Sequence, residues 1–380
     1  MDGVLVRDAP DGDLIAGFGA RAAAHDRDGS FPFENFAALQ QAGWLNLTAS
    51  PADGGEGAGL ARTVSLVGRI AQGCPSTALV FAMQCTHLKR VAMNANWPEH
   101  LRRAVIESAG RSGALINALR VEPGLGTPHR GGLPDTVARR TPDGWAITGH
   151  KIYSTGIPAL TWLLVWARTD EDAPRTGFWL VPAVSEGVRV VETWDHLGLR
   201  ASASHDVLLE SVAVPADYAV DIRLPKDWAR QDPMQVAWNT LTISALYTGV
   251  AVAARDWLVT FLQNRVPTSL GAPLATLPRM QEAMGEIEAL LTVNRRLIDG
   301  AAADYDAGRP LSINDCNLIK TVTAENAIQA VQRGLQLTGN HGLSRANPLE
   351  RHLRDVLCAR IHSPQADSAH IAAGRAMLGV

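Results

Sequence analysis

The 380-residue sequence predicts an α+β chain in three parts: an N-terminal helical domain over residues 1–110, a middle antiparallel β-domain over 111–220 and a C-terminal four-helix bundle over 221–380. Three observations carry this. Apolar residues recur at helical spacing through the first hundred positions. Near Arg111 they give way to short runs rich in Val, Ile, Trp and Tyr, and from Met234 the helical period returns in long blocks. The length also exceeds what one hydrophobic core ordinarily serves.

In the first part Phe36, Leu39, Ala42 and Trp44 recur every two to three residues along one predicted helical segment, and the glycine-rich stretch 50–57 interrupts the pattern as a loop. Helix resumes over 61–70 and 77–94, and Pro98 stands where a further helix would begin and run to Ser108. In the second part the runs 113–121, 145–153, 160–168, 177–182, 188–194 and 206–215 read as strands, parted by turn signals such as Pro142-Asp143-Gly144 and Glu186-Gly187. Their spacing suits a small antiparallel barrel or sandwich. In the third part helices are expected over 234–265, 277–307, 312–338 and 349–377, and long helices joined by short Pro/Gly turns imply an antiparallel bundle.

Composition narrows the function classes. Net charge is −3, and no basic run is longer than Arg139-Arg140 or Arg295-Arg296, so neither nucleic acid nor an anionic membrane is an expected partner. No stretch approaches the roughly 18 unbroken apolar residues of a spanning helix, and the acidic N-terminus is unlike a signal peptide, so a cytoplasmic location is expected. Cys74, Cys85, Cys316 and Cys358 are scattered with no CxxC pair, which points to buried free thiols and no metal site. Ten Trp stand against four Tyr, and five of them (Trp145, Trp162, Trp166, Trp179 and Trp194) fall in the β-rich part, with Trp162 and Trp166 on one strand face.

Five stretches carry more specific information: Gly43-Trp44-Leu45 followed by Pro51 and Gly54-Gly55; 120–127 (RVEPGLGT); 149–156 (GHKIYSTG); 194–207 (WDHLGLRASASHDV) closing on Val214-Pro215; and 336–342 (QLTGNHG) followed by Leu349-Glu350-Arg351 and Arg354-Asp355. In this order and spacing they resemble the acyl-CoA dehydrogenase superfamily over nearly the whole chain, and the resemblance implies that family's fold and a bound flavin, FAD with FMN as the other possibility. It places Leu119, Val121, Gly126 and Thr127 at the flavin-approaching loop, with Val121 where the family has Thr, and Tyr153 and Thr155 beside the isoalloxazine. It also places Arg265, Gln336 and Gly339 at a subunit interface, which implies a homodimer or homotetramer. The residues agree with this. Gly124 and Gly126 permit close backbone approach to a pyrophosphate, and Tyr153 and Thr155, two apart on an expected strand, would offer wall and donor to one ligand.

The carboxylate base that the dehydrogenase chemistry requires is missing. Its two family positions correspond here to Ser363 and Asn239, and neither can take a proton from carbon. His362 stands beside the first. There the sequence resembles the reduced-flavin monooxygenase branch of the same superfamily, exemplified by dibenzothiophene monooxygenase, in which a histidine at this spacing works with a hydroxyl residue at the place of Thr155. The resemblance implies a small-molecule substrate and a separate flavin reductase as partner. Gln84, at the place of that branch's second histidine, its neighbour His87, and Trp238 beside Asn239 are further candidates for the substrate pocket. Two alternatives stay open: an acyl-thioester dehydrogenase with a relocated base such as Asp367, and a non-catalytic paralogue.

Overall fold

Proline and capping side chains set the helix limits. The computed structural model describes residues 11–124, 132–228 and 231–380. Its first part holds α1 (Gly12–Asp28), α2 (Phe33–Gln41), α3 (Leu60–Gly73), α4 (Pro75–Met93) and α5 (Glu99–Ser112). Pro75 opens α4 at a position whose N–H would have no helical partner, and Pro98 immediately precedes α5. The last part holds α6 (Pro233–Asn264), α7 (Pro278–Asp306), α8 (Ile313–Thr338), α9 (Asn340–Leu343), α10 (Leu349–Leu357) and α11 (Ala366–Leu378). Asp232 caps α6 by accepting from the Met234 amide at 3.0 Å, and Ser312 caps α8 by accepting from the Asp315 amide at 3.0 Å.

Between them lie β1 (Leu115–Leu119), β2 (Val137–Thr141), β3 (Gly144–Lys151), β4 (Leu160–Thr169), β5 (Thr176–Pro182), β6 (Val188–Val191), β7 (Asp206–Pro215) and β8 (Ala219–Arg223). The sheet order is β6-β7-β3-β2-β4-β5-β8, with β1 also on β4. Pairing is mainly antiparallel, but β4 takes β1 and β2 as parallel neighbours at its two ends. The polar run of β2 and the short β8 carry little apolar signal in the sequence, and the run at 188–194 forms a strand only to Val191.

The helices close around α6, which packs on α3 and α4 and on α7 and α8. Two glycines make the α3–α6 crossing possible: a Cβ on Gly249 would sit 2.2 Å from the Gly68 carbonyl oxygen. By length and apolar content alone α6 reaches what a bilayer crossing needs, contrary to the reading of unbroken runs, yet 78% of its most apolar window is buried inside the protein. The C-terminus of α7 is tied back to the first part, since the Asp306 carboxylate accepts from the Leu60 and Ala61 amides at 2.7 and 2.8 Å. The expected fourth bundle helix is broken. It stops at Leu357, a 3₁₀ turn over Cys358–Arg360 follows, and helix resumes only at Ala366 beyond Pro364. That break carries His362.

Candidate active site

Strand β3 ends at Lys151, whose ammonium is drawn inward. Its Nζ is fully buried, 2.5 Å from the Glu122 Oε1, and it donates to the Trp166 carbonyl as well. Glu122 also accepts from the Asp135 and Thr136 amides (2.6 and 3.1 Å) and from the Thr136 hydroxyl at 2.5 Å. Burial alone would raise the Glu122 carboxyl, but the Lys151 ammonium and these donors more than offset it and hold it below the ordinary value. This buried pair anchors the loop after β1 to β3.

Past that anchor the chain turns. Tyr153 has φ 56° and Gly156 has φ 77°, so Tyr153 and Thr155 do not share a strand face as the spacing suggests. They diverge instead. Tyr153 is 53% exposed, its ring edge-on to Trp194 (6.2 Å) and His196 (5.8 Å), which stack on each other at 3.7 Å. Thr155 turns inward and is 7% exposed.

The Thr155 hydroxyl ends a directed chain. Ser204 Oγ donates to Thr155 Oγ1 at 3.0 Å. With that proton committed, the 2.9 Å contact between Ser202 and Ser204 must be donated by Ser202. The proton of Thr155 itself has no acceptor among the described residues and is available to a ligand. Its carbonyl accepts from Asn117 Nδ2 at 2.9 Å, and Asn117 Oδ1 lies 3.1 Å from His87 Nε2. Burial holds His87 neutral, its pKa pushed down to about 3, so Nε2 donates to Asn117.

Among the C-terminal helices stand Tyr247, His362 and Lys320. Tyr247 is 1% exposed, and its Oη lies 2.5 Å from His362 Nδ1. Burial raises the Tyr247 hydroxyl well above its usual value and lowers His362 to about 4, with the Lys320 charge adding to the second shift. Both groups are therefore neutral at pH 7. Among the described residues the Tyr247 proton has no other acceptor, so it goes to Nδ1 and His362 carries its own proton on Nε2. Lys320, on α8, is 2% exposed and donates to the carbonyls of Ala359, His362 and Pro364 at 2.8, 2.6 and 2.8 Å, which fixes the turn that presents the imidazole.

The two groups are joined through the signature 194–205. Asp355 Oδ1 accepts from the Leu199 amide at 2.7 Å, and Gly198 packs so closely on the Arg354 backbone that a Cβ would lie 2.3 Å from its carbonyl oxygen. Arg354 pairs with Asp26 and Glu350 (2.7 and 2.8 Å), and Arg200 donates to the Asp26 carbonyl at 2.7 Å. The turn bearing Ser202 and Ser204 is thus locked to the helix that leads to His362.

Several sequence candidates lie elsewhere. Gln84 is a buried strut: its Nε2 donates both protons, to the Leu45 and Ala114 carbonyls (3.0 and 3.1 Å), and its Oε1 accepts from the Ile116 amide at 2.8 Å. Trp238 is completely buried in the main core rather than a pocket wall, while Asn239 and Ser363 are exposed. Leu119 has its side chain in the core, and Val121 is half-buried with its carbonyl accepting from the Ile152 amide at 3.0 Å. Gly126 and Thr127 lie outside the described residues. Arg265 is exposed at the end of α6; Gln336, accepting from Arg333 at 3.2 Å, and Gly339 are exposed at the end of α8.

Tyr247, Lys320, Asn117 and the Ser202–Ser204 pair escape sequence reasoning. Lys320 had a signal: it interrupts the stripe of Cys316, Thr323, Ala324 and Ala327 that α8 buries.

Models of the N-terminal, middle and C-terminal domains of acyl-CoA dehydrogenase match residues 17–116, 121–212 and 241–365. The putative acyl-CoA dehydrogenase YdbM of Bacillus subtilis is 33% identical over 356 residues, 93% of this chain and 91% of the relative. L-evernosamine nitrososynthase of Micromonospora sp. is 29% identical over 397 residues, 96% of this chain and 89% of the relative. Among solved structures, KijD3 in complex with FMN and dTDP-3-amino-2,3,6-trideoxy-4-keto-3-methyl-D-glucose is 26% identical with a TM-score of 0.85, covering 99% of this chain and 94% of that one. Butyryl-CoA dehydrogenase from Megasphaera elsdenii, at 20% identity, shares the fold with a TM-score of 0.85 over 96% of both chains.

Proposed function

This chain belongs to the acyl-CoA dehydrogenase family, whose members are flavin-dependent oxidoreductases, and from that premise we propose that it is a flavin monooxygenase acting on a small molecule. The observation that carries the reading is the Tyr247–His362 pair at 2.5 Å. An α-proton base must hold a free lone pair and a pKa near the working pH. His362 has neither, because its Nδ1 is taken by Tyr247 and its pKa is pushed down to about 4. What it offers is an Nε2–H donor. No carboxylate replaces it at either family position, where Ser363 and Asn239 stand.

The residues present fit a flavin. Trp194 and His196 stack near the surface with Tyr153 edge-on to both, an aromatic wall for a ring, and Thr155, turned inward two residues after Tyr153, keeps an unused hydroxyl proton. A bound flavin, FAD or FMN, would supply the redox chemistry, with one oxygen atom passing to the substrate and the other to water. Within that frame Thr155 donates one hydrogen bond to the ligand, with its oxygen held by Ser204. His362 donates from Nε2, with Tyr247 fixing the tautomer and Lys320 fixing the turn. The electrons would come from a separate flavin reductase, and the family's interface positions Arg265, Gln336 and Gly339 would be completed by a second copy of the chain.

The test uses the purified protein. It should be yellow, should not bleach anaerobically with butyryl- or octanoyl-CoA, and should consume oxygen when a reductase supplies reduced flavin; His362→Ala should lose productive turnover while keeping flavin. Anaerobic bleaching by an acyl-CoA would establish the second reading, a dehydrogenase with a relocated base, which the 33% identity to a putative acyl-CoA dehydrogenase favours.

A further inference from the structure

A second polar constellation lies one helical turn beyond His87, and nothing in the preceding reading uses it. Trp166, Phe178 and Trp228 form an edge-to-face cluster with centroids 4.7 to 5.9 Å apart. Three guanidiniums pack on it: Arg90 lies 4.5 Å from the Phe178 centroid, Arg120 lies 4.9 Å from Trp166 and 5.6 Å from Phe178, and Arg223 lies 4.5 Å from Trp228.

Among the described residues one buried carboxylate is paired with these cations. Asp221 binds Arg223 at 2.8 and 3.0 Å and accepts from Asn94 at 3.3 Å, which leaves Arg90 a looser contact at 3.6 Å. Asp232 adds a weaker attraction on Arg90 from the exposed cap of α6. Arg120 has no hydrogen bond and no ion pair among the described residues; the charge that bears on it, Arg90, is a cation, and its own charge bears on Lys151, which Glu122 already neutralises. Arg120 Nε and Arg90 Nη1 are both buried donors without an acceptor among the described residues.

A desolvated guanidinium with no counter-charge is costly, and native proteins leave such donors open where a ligand completes them. The planar fork of arginine matches carboxylate and phosphate oxygens. Two forks over one aromatic ring, each with a buried donor left open, are the donor set an oxyanion would take.

We propose that Arg90 and Arg120 bind the acidic group, carboxylate or phosphate, of the small-molecule substrate. The connection to the reacting end runs through a single helix. Arg90 is three residues from His87, a rise of about 4.5 Å, and His87 holds Asn117, which holds the Thr155 carbonyl. Assigning the anion to the substrate rests on the monooxygenase reading; binding of an oxyanion does not.

The experiment is thermal melting of the flavin-loaded protein in sodium phosphate, sodium acetate and sodium chloride at equal ionic strength, repeated without flavin. Phosphate, acetate or both should raise Tm saturably above chloride, and the arm that responds identifies the group. Arg120→Met should abolish the rise, and Arg120→Lys, which keeps charge but loses the fork, should weaken the dissociation constant at least tenfold; Arg90→Lys gives the same test if the Met variant fails to fold. The proposal is overturned if the wild type shows no rise beyond chloride or if Arg120→Met keeps it. It is also overturned if flavin loading removes the rise, because the anion would then be the flavin's phosphate. Should the protein take up no flavin, the flavin-free arm still decides oxyanion binding, so the two readings fail separately.

Discussion

Tyr247 Oη lies 2.5 Å from His362 Nδ1 and joins the central helix α6 to the break that divides the last two helices of the bundle. Because the tyrosine is buried with no other acceptor among the described residues, it sets which imidazole nitrogen carries the proton. Tyr247→Phe removes that preference at little cost in volume. Turnover should fall about 10²-fold, the low end of what positioned proton donors contribute, with flavin content unchanged. The ¹⁵N shifts of His362 should move from a single Nε2–H tautomer to a mixture; unaltered shifts would show that Tyr247 does not govern the tautomer.

Lys320 holds three backbone carbonyls of the same turn. Lys320→Met removes a buried charge, which is favourable, but leaves those carbonyls without their donor. At about 1 to 3 kcal/mol for each unsatisfied buried group, the loss should prevail and lower stability by about 2 to 4 kcal/mol in urea unfolding. Lys320→Arg should recover part of it. Equal midpoints for wild type and Met variant would place the turn under other control.

The Thr155 hydroxyl should be felt in ligand binding rather than in folding. Thr155→Val keeps the branched shape and deletes both the acceptor for Ser204 and the donor to a ligand. Flavin affinity should drop about tenfold, one charge-free hydrogen bond, read by fluorescence titration. Ser204→Ala, which leaves the Thr155 proton in place, should change affinity less. If the two variants behave alike, the threonine proton is not what meets the flavin.

How much of this can be read from residues alone depends on which force sets each feature. The three long bundle helices follow apolar periodicity to within one residue at either end, because packing around α6 and the proline and serine caps agree with it. The fourth stretch keeps the period but not the helix. Pro364 removes a donor and Lys320 rewards the exposed carbonyls of the break, and the second of these is a contact 39 to 44 residues away in the chain. The bend that separates Tyr153 from Thr155 comes directly after Lys151, which is buried against Glu122. Local pattern cannot register a tertiary ion pair. His362 is legible as a residue type in place of a missing glutamate, whereas its neutral, donor-bearing state depends on a tyrosine 115 positions earlier.

Acid should unfold this protein with a slope set by buried histidines. His87 and His352 are pushed down to about 3 and His362 to about 4, each chiefly by burial, against about 6.5 in the unfolded chain. The unfolded state therefore binds more protons below pH 6.5, and the stability these groups leave intact above that pH is lost as pH falls toward 4. Asp355 works in the opposite direction: burial raises it to about 6, so between pH 6 and 4 the folded state holds a proton that the unfolded state gives up. Three protons against one leave a net uptake of about two, or roughly 3 kcal/mol per pH unit from these four groups. His352, whose Nδ1 has no partner among the described residues, is the cleanest probe because it lies outside the candidate site. His352→Gln should flatten the pH dependence of urea unfolding between pH 6 and 4 by up to about 1.4 kcal/mol per unit. A slope equal to wild type would mean that His352 accepts its proton without unfolding.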